Sequence, residues 1–156
     1  MKPLILDANL LVLLVVGLVD PKLISQHRRT QGFVEEDFPL LKQALQAYTT
    51  VLITPGILAE SSNLLRYDAE PRKSHLMNVF RELLGTYDER HVAAQEIAQD
   101  GAFVRLGLTD TGILDVLERE RASLLTVDLE LYLEAAKRTA EVYNFNHIRE
   151  RHLPGG

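Results

Sequence analysis

The sequence predicts an α/β fold: a three-layer α/β/α sandwich around a central, mainly parallel sheet of four or five strands. Three observations lead there. Short apolar or β-branched runs, Pro3–Leu6, Thr50–Thr54, Ser123–Val127 and Glu141–Phe145, read as strands. Between them lie segments whose apolar residues recur at helical spacing. Strands that alternate with helices pair in parallel and carry helices on both faces. The 156 residues suit one domain, read as 1–150, with 151–156 as a C-terminal tail.

Each element has a local cause. Asp7 ends the first strand and is a natural helix cap, and Leu10–Val19 is apolar on nearly every side, as in a helix buried all round. Asp20-Pro21 stops it, and residues 22–37 form a long polar, aperiodic loop containing HRRTQGF. Phe38, Leu41, Leu45 and Tyr48 mark an amphipathic helix, and Pro55-Gly56 closes the second strand. Helices follow over 57–67 and 73–84, the latter ended by Gly85, and a short one over 91–99. The stretch GAFVRLGLT fits no single period. Beyond it come a helix from Asp110 to Glu120 and another over 129–139.

Composition excludes several classes. With no cysteine, disulfides, thiolate catalysis and thiolate zinc sites are impossible. A net charge of -5 argues against binding nucleic acid through a broad cationic face, although local groups remain: His27, Arg28 and Arg29; Arg66, Arg72 and Lys73; Arg119 and Arg121; Arg149, Arg151 and His152. The uninterrupted run Leu10–Val19 falls short of the ~20 residues that span a bilayer, and Asp7 and Asn9 interrupt what would be a leader, so a soluble cytoplasmic protein is expected, with no membrane partner. The histidines form no HxH or HxxxH pair, and neither GxGxxG nor GxxxxGK[ST] occurs.

The acidic residues carry the functional signal. Asp7 follows the first strand, Glu60 lies in the first turns after the second, Asp110 opens the helix after LGLT, and Asp128 follows LLTV. Parallel strands deliver all four to the carboxyl edge of the sheet, where open α/β folds place their sites. On helical projections Glu60 borders the apolar sector and Asp110 shares the apolar side, whereas Asp115 faces solvent. An N-cap role alone would explain Asp7, Asp110 and Asp128 separately. It does not explain why acids, rather than serine or threonine, gather at one edge. Two carboxylates about 4 Å apart repel by about 4 kcal/mol at an effective dielectric near 20, so a cation must offset them. Hard oxygen donors suit Mg²⁺ or Mn²⁺.

LILDANLL, TPGILAESSNLL, LGLTDTGIL and LLTVDLELYL resemble, in order and spacing, the four acidic motifs of PIN-domain ribonucleases, and the resemblance covers nearly the whole chain. It implies a PIN-like sandwich, metal binding and catalysis by Asp7, Glu60, Asp110 and Asp128, supporting polar roles for Asn9 and Thr126, and hydrolysis of RNA phosphodiesters by a metal-activated water. Small PIN proteins often act as toxins paired with an antitoxin protein, and a homodimer is plausible on the same ground. The insertion over 22–37 departs from the shortest toxin-like members.

Two other classes compete. A catalytically inactive PIN-like binding module would keep the acids as structural caps. An aspartyl-phosphate phosphatase would use Asp7 as nucleophile, but such enzymes carry hhhhDxD, and here DAN places Asn9 where the second acid belongs. For the nuclease reading the expected substrate is single-stranded or loop RNA, whose backbone and bases are accessible, with Arg28 and Arg29 holding the phosphate chain.

Overall fold

The computed structural model describes residues 2–152. Five strands form one sheet: β1 (Leu4–Leu6), β2 (Val51–Ile53), β3 (Asp88–Glu89), β4 (Ser123–Thr126) and β5 (Val142–Asn144). Their order is β3-β2-β1-β4-β5 and every pairing is parallel. The strands are two to four residues long, and the central ones are wholly buried because helices cover both faces. The helices are α1 (Ala8–Val19), α2 (Asp37–Leu45), α3 (Pro55–Leu65), α4 (Arg72–Leu84), α5 (Ala94–Ile97), α6 (Phe103–Arg119), α7 (Leu129–Arg138) and α8 (Phe145–His152). Right-handed crossovers place α1 to α4 on one face and α6 and α7 on the other, giving the α/β/α sandwich.

The winding reverses between β1 and β4. At such a switch point the chains leaving two neighbouring strands turn to opposite faces, which opens a crevice beyond their carboxyl ends. Asp7 and Asp128 leave β1 and β4 at this place.

The core centres on β1 and α1. Ala8 and the eight consecutive positions from Leu10 to Gly17 of α1 are buried, so this helix is surrounded by protein as its uniform hydropathy required. Gly17 marks the closest approach: a Cβ there would stand 2.2 Å from the Phe38 ring, so α2 packs on α1 only because that position is bare. No helix among the described residues is long and apolar enough to cross a membrane.

Several expectations are corrected. The edge strand β3 is a pair of exposed acids, Asp88 and Glu89, with no apolar signal, and exists because its backbone pairs with β2. The unassigned stretch before Asp110 holds a short helical segment from Phe103, which a break at Gly107, φ 85° and ψ 179°, separates from the helix carrying Asp110; the two segments together are α6. Such angles are essentially restricted to glycine, which is why LGLT broke the helical pattern. Asp115 does not face open solvent: α5 packs against that side of α6, where Arg119 bonds both Asp115 and Glu96. The expected tail starts too early, since Arg151 and His152 are in α8; residues 153–156 lie outside the described residues.

The long loop is anchored rather than free. It opens with a 3₁₀ turn at Pro21–Ser25, and its end is clamped by Arg149 of α8. The Arg149 guanidinium donates to the fully buried Asp37 carboxylate at 2.9 Å and to the Gly32 carbonyl at 3.0 Å, and lies over the Phe33 ring. Arg149→Met should therefore strand a buried carboxylate and cost about 2–4 kcal/mol in urea unfolding, far more than truncation of an exposed arginine.

Candidate functional site

Four elements deliver their acids to one cleft. Asp7 is the N-cap of α1, Glu60 lies on the second turn of α3, Asp110 stands just beyond the Gly107 break of α6, and Asp128 caps α7. Together with Asn9, Thr109 and the apolar Ala8, Ile113 and Leu131 they line a cavity of about 80 Å³. Liquid water occupies about 30 Å³ per molecule, so this space suits an ion with a few waters and not a nucleotide.

The capping and clustering roles coexist. Asp7 Oδ1 accepts from the Leu10 N–H at 2.9 Å, and Asp128 Oδ1 accepts from the Leu131 N–H at 2.8 Å. Asp7 Oδ2 accepts from the Thr126 hydroxyl and from the Val127 N–H at 3.0 Å. Thr126 Oγ1 also accepts from the Asp128 N–H at 3.0 Å, so this buried hydroxyl joins two of the acids and acts as a positioning group behind them. Asn9 is exposed at the lip. Asp110 lies in the opening turn beyond the Gly107 break, close to the helix start expected from the sequence, but makes no capping bond.

The electrostatics follow the geometry. Burial raises the Asp7 carboxyl above the usual range against the opposing effect of three hydrogen bonds. Burial also pushes Asp110 up to about 7, helped by the negative charges of Asp128, Glu60, Asp7 and Glu130. Glu130, in the first turn of α7, was missed in the sequence; its spacing two residues after Asp128 was the available signal. Glu60 and Asp128 are exposed at the mouth. Among the described residues no three acidic or histidine side chains already converge as a cation cage. The donors are nonetheless all carboxylate oxygens, and their mutual repulsion is the condition that a hard cation relieves. Mg²⁺ keeps several waters and does not require an all-protein cage. The residues therefore fit Mg²⁺ or Mn²⁺.

The basic residues lie elsewhere. Arg28, Arg66 and Arg72 converge with Gln26, Gln31, Tyr67 and Asp68 around an open cleft of about 590 Å³. Buried His27 accepts the Arg29 N–H within the loop on Nδ1 at 3.1 Å and brings Nε2 to 4.0 Å from Asp68, and burial lowers its basicity. The Arg29 guanidinium stacks 4.4 Å from the Tyr67 ring centre, while Arg72 forks onto Asp68 at 2.6 and 2.8 Å. This cleft follows the far end of α1, whose 12 residues span about 18 Å, so Arg28 and Arg29 are not neighbours of the acids. Two sequence groups merge in it, whereas Arg149 and Arg119 are consumed by the pairs described above.

No protein-family model matches the chain, and no curated protein matches it. Among solved structures it is similar to PAE2754 from Pyrobaculum aerophilum, at 17% identity and a TM-score of 0.52 over 96% of this chain and 94% of that one. A domain of a functionally unknown protein from Methanocaldococcus jannaschii aligns at 17% identity and a TM-score of 0.45, over 92% of this chain and 91% of that chain. The likeness to PAE2754 is one of fold.

The raised Asp110 pKa has a consequence for the metal-free protein. The folded state holds this proton more tightly than the unfolded chain, so Asp110 contributes no penalty below about pH 4 and an increasing one as pH rises to about 7. In chelator, Asp110→Asn should match wild type near pH 4 and exceed it by about 2–4 kcal/mol at pH 8, the upper figure being three pKa units undiscounted for partial exposure. Urea unfolding across that range measures it.

Proposed function

We propose that this protein is a PIN-like, Mg²⁺- or Mn²⁺-dependent endoribonuclease acting on single-stranded or loop RNA. The observation that carries the reading is the meeting of Asp7, Glu60, Asp110 and Asp128, from four separate elements, in one small cavity at the sheet's switch point. Those four carboxylates would hold the ion. A bound ion of this type polarises a phosphate oxygen and lowers the pKa of its water. The chain's own contribution is placement. Thr126 keeps Asp7 and Asp128 in register, the N–H groups of the helices they cap fix their carboxylates, and Asn9 offers an amide at the lip to a phosphate oxygen. Pairing with an antitoxin protein, homodimer formation and a cytoplasmic location belong to the same PIN-like reading and rest on the sequence resemblance.

The ion is tested before the RNA. Saturating Mn²⁺, at about 100 times its dissociation constant, should stabilise the wild type by about 2.7 kcal/mol, a rise of roughly 5–10 °C for a chain of this size. Asp7→Asn should lose most of that gain. Wild type in Mn²⁺ should then cut a random-sequence single-stranded RNA, and chelator should stop it. A midpoint indifferent to Mn²⁺ in both proteins would remove the physical basis of the nuclease reading and leave the acids as caps of a binding module.

RNA leaving the acidic cleft is expected to follow the α1–α3 side toward Arg28 and Arg29. Arg28→Glu combined with Arg29→Glu should weaken RNA binding severalfold at low salt and flatten its salt dependence. Equal affinity in a filter-binding titration would exclude these two residues from the path.

A further inference from the structure

Beside the acidic cavity lies a second one, of about 210 Å³, that the phosphodiester chemistry does not use. Thr109 lines both cavities, so they share a wall. Its apolar lining comes from Val92, Ile97 and Leu108, and Leu108 remains 49% exposed although it adjoins a polar site. Gly112 makes the floor, where a Cβ would press on Ile97 at 3.2 Å, and Gly56 brings the start of α3 against Thr109, where a Cβ would meet Oγ1 at 3.0 Å. The rim carries fixed donors. The Arg90 guanidinium is held by Glu120 at 2.6 Å and donates to the Glu89 carbonyl, which leaves further N–H groups. The Gly56 N–H, in the first turn of α3, has no intrahelical acceptor.

We propose that this cavity is a base-binding subsite that seats one RNA base next to the phosphate held at the acidic cleft. This rests on the nuclease reading above. The occupant is argued from three properties of the cavity. It adjoins the acidic cleft across Thr109, its volume suits one planar ring system, and its apolar walls with a guanidinium at the edge match a base's flat faces and polar rim. Arginine donors favour an acceptor-rich edge, so guanine or uracil should be preferred to adenine. The subsite would thereby give the enzyme a base preference beside the cut.

Ala94 offers the test, since it is exposed on α5 at the cavity's mouth and Ala94→Trp fills the space from outside. The 5′-monophosphates of guanosine, uridine and adenosine are titrated into Mg²⁺-loaded protein while the methyl resonances of Val92, Ile97 and Leu108 are followed. The cut sites in a random RNA pool are sequenced in parallel. The expected result is that guanosine or uridine monophosphate shifts those methyls, that wild type shows a bias of roughly 5- to 50-fold for that base beside the cut, and that Ala94→Trp removes both effects while keeping its stabilisation by Mg²⁺. Cleavage without base bias, or bias and shifts that survive Ala94→Trp, would overturn the subsite and leave the nuclease standing. Methyl shifts abolished by Ala94→Trp in a protein that cuts no RNA would keep a nucleotide pocket and overturn the nuclease. Neither shifts nor cleavage would overturn both.

Discussion

The constraint on which the rest of the structure depends is the burial of Asp7 at the end of the innermost strand. A carboxylate there is costly unless hydrogen-bonded or paired. The fold answers with three donors from two directions: the Leu10 N–H from the helix it caps, and the Thr126 hydroxyl and Val127 N–H from the neighbouring strand. Those last two groups reach Asp7 only if β4 lies parallel to β1 in the observed register, Leu6 opposite Leu125. One side chain thus ties together the first strand, the buried helix and the crossover that creates the crevice.

The same network shows why capping a helix and clustering at one crevice are not alternatives for these acids. Asp7 and Asp128 cap their helices with one oxygen each, and capping holds each carboxylate stiffly at the crevice. Ser or Thr would cap as well, but would not add the negative charge that reinforces burial in raising the Asp110 proton affinity. Gathering the acids costs stability locally, and under the proposed reading a cation that binds only the folded state would return it. The backbone also departs from a regular helix at the crevice: the Gly107 break turns α6 so that Leu108 and Thr109 line the paired cavities and Asp110 enters the crevice.

The molecule separates its charges. Carboxylates collect at the carboxyl edge of the sheet, and Arg28, Arg66 and Arg72 collect beyond the other end of α1 and α3. The long loop that carries Arg28 buries His27 and is clamped through Asp37 by Arg149, so its arginines are presented on a supported surface. An acidic chain with a net charge of -5 can in this way offer a local cationic contact without a broad basic face.

The sequence by itself determined the sandwich, the parallel pairing, the buried first helix and the four acids of the crevice, because each left a signal within a few residues: a continuous apolar run, a helical period, or an aspartate directly after a strand. Only tertiary structure decided what depends on partners distant in the chain. β3 is two exposed acids made into a strand by pairing with β2, and Asp115 is covered because α5 folds over it. Arg149 looked like part of a basic tail until Asp37, 112 residues away, received it. The distance of Arg28 and Arg29 from the acids, and the cavity beside them at Thr109, arise from helix lengths and packing, quantities that no local pattern of side chains encodes.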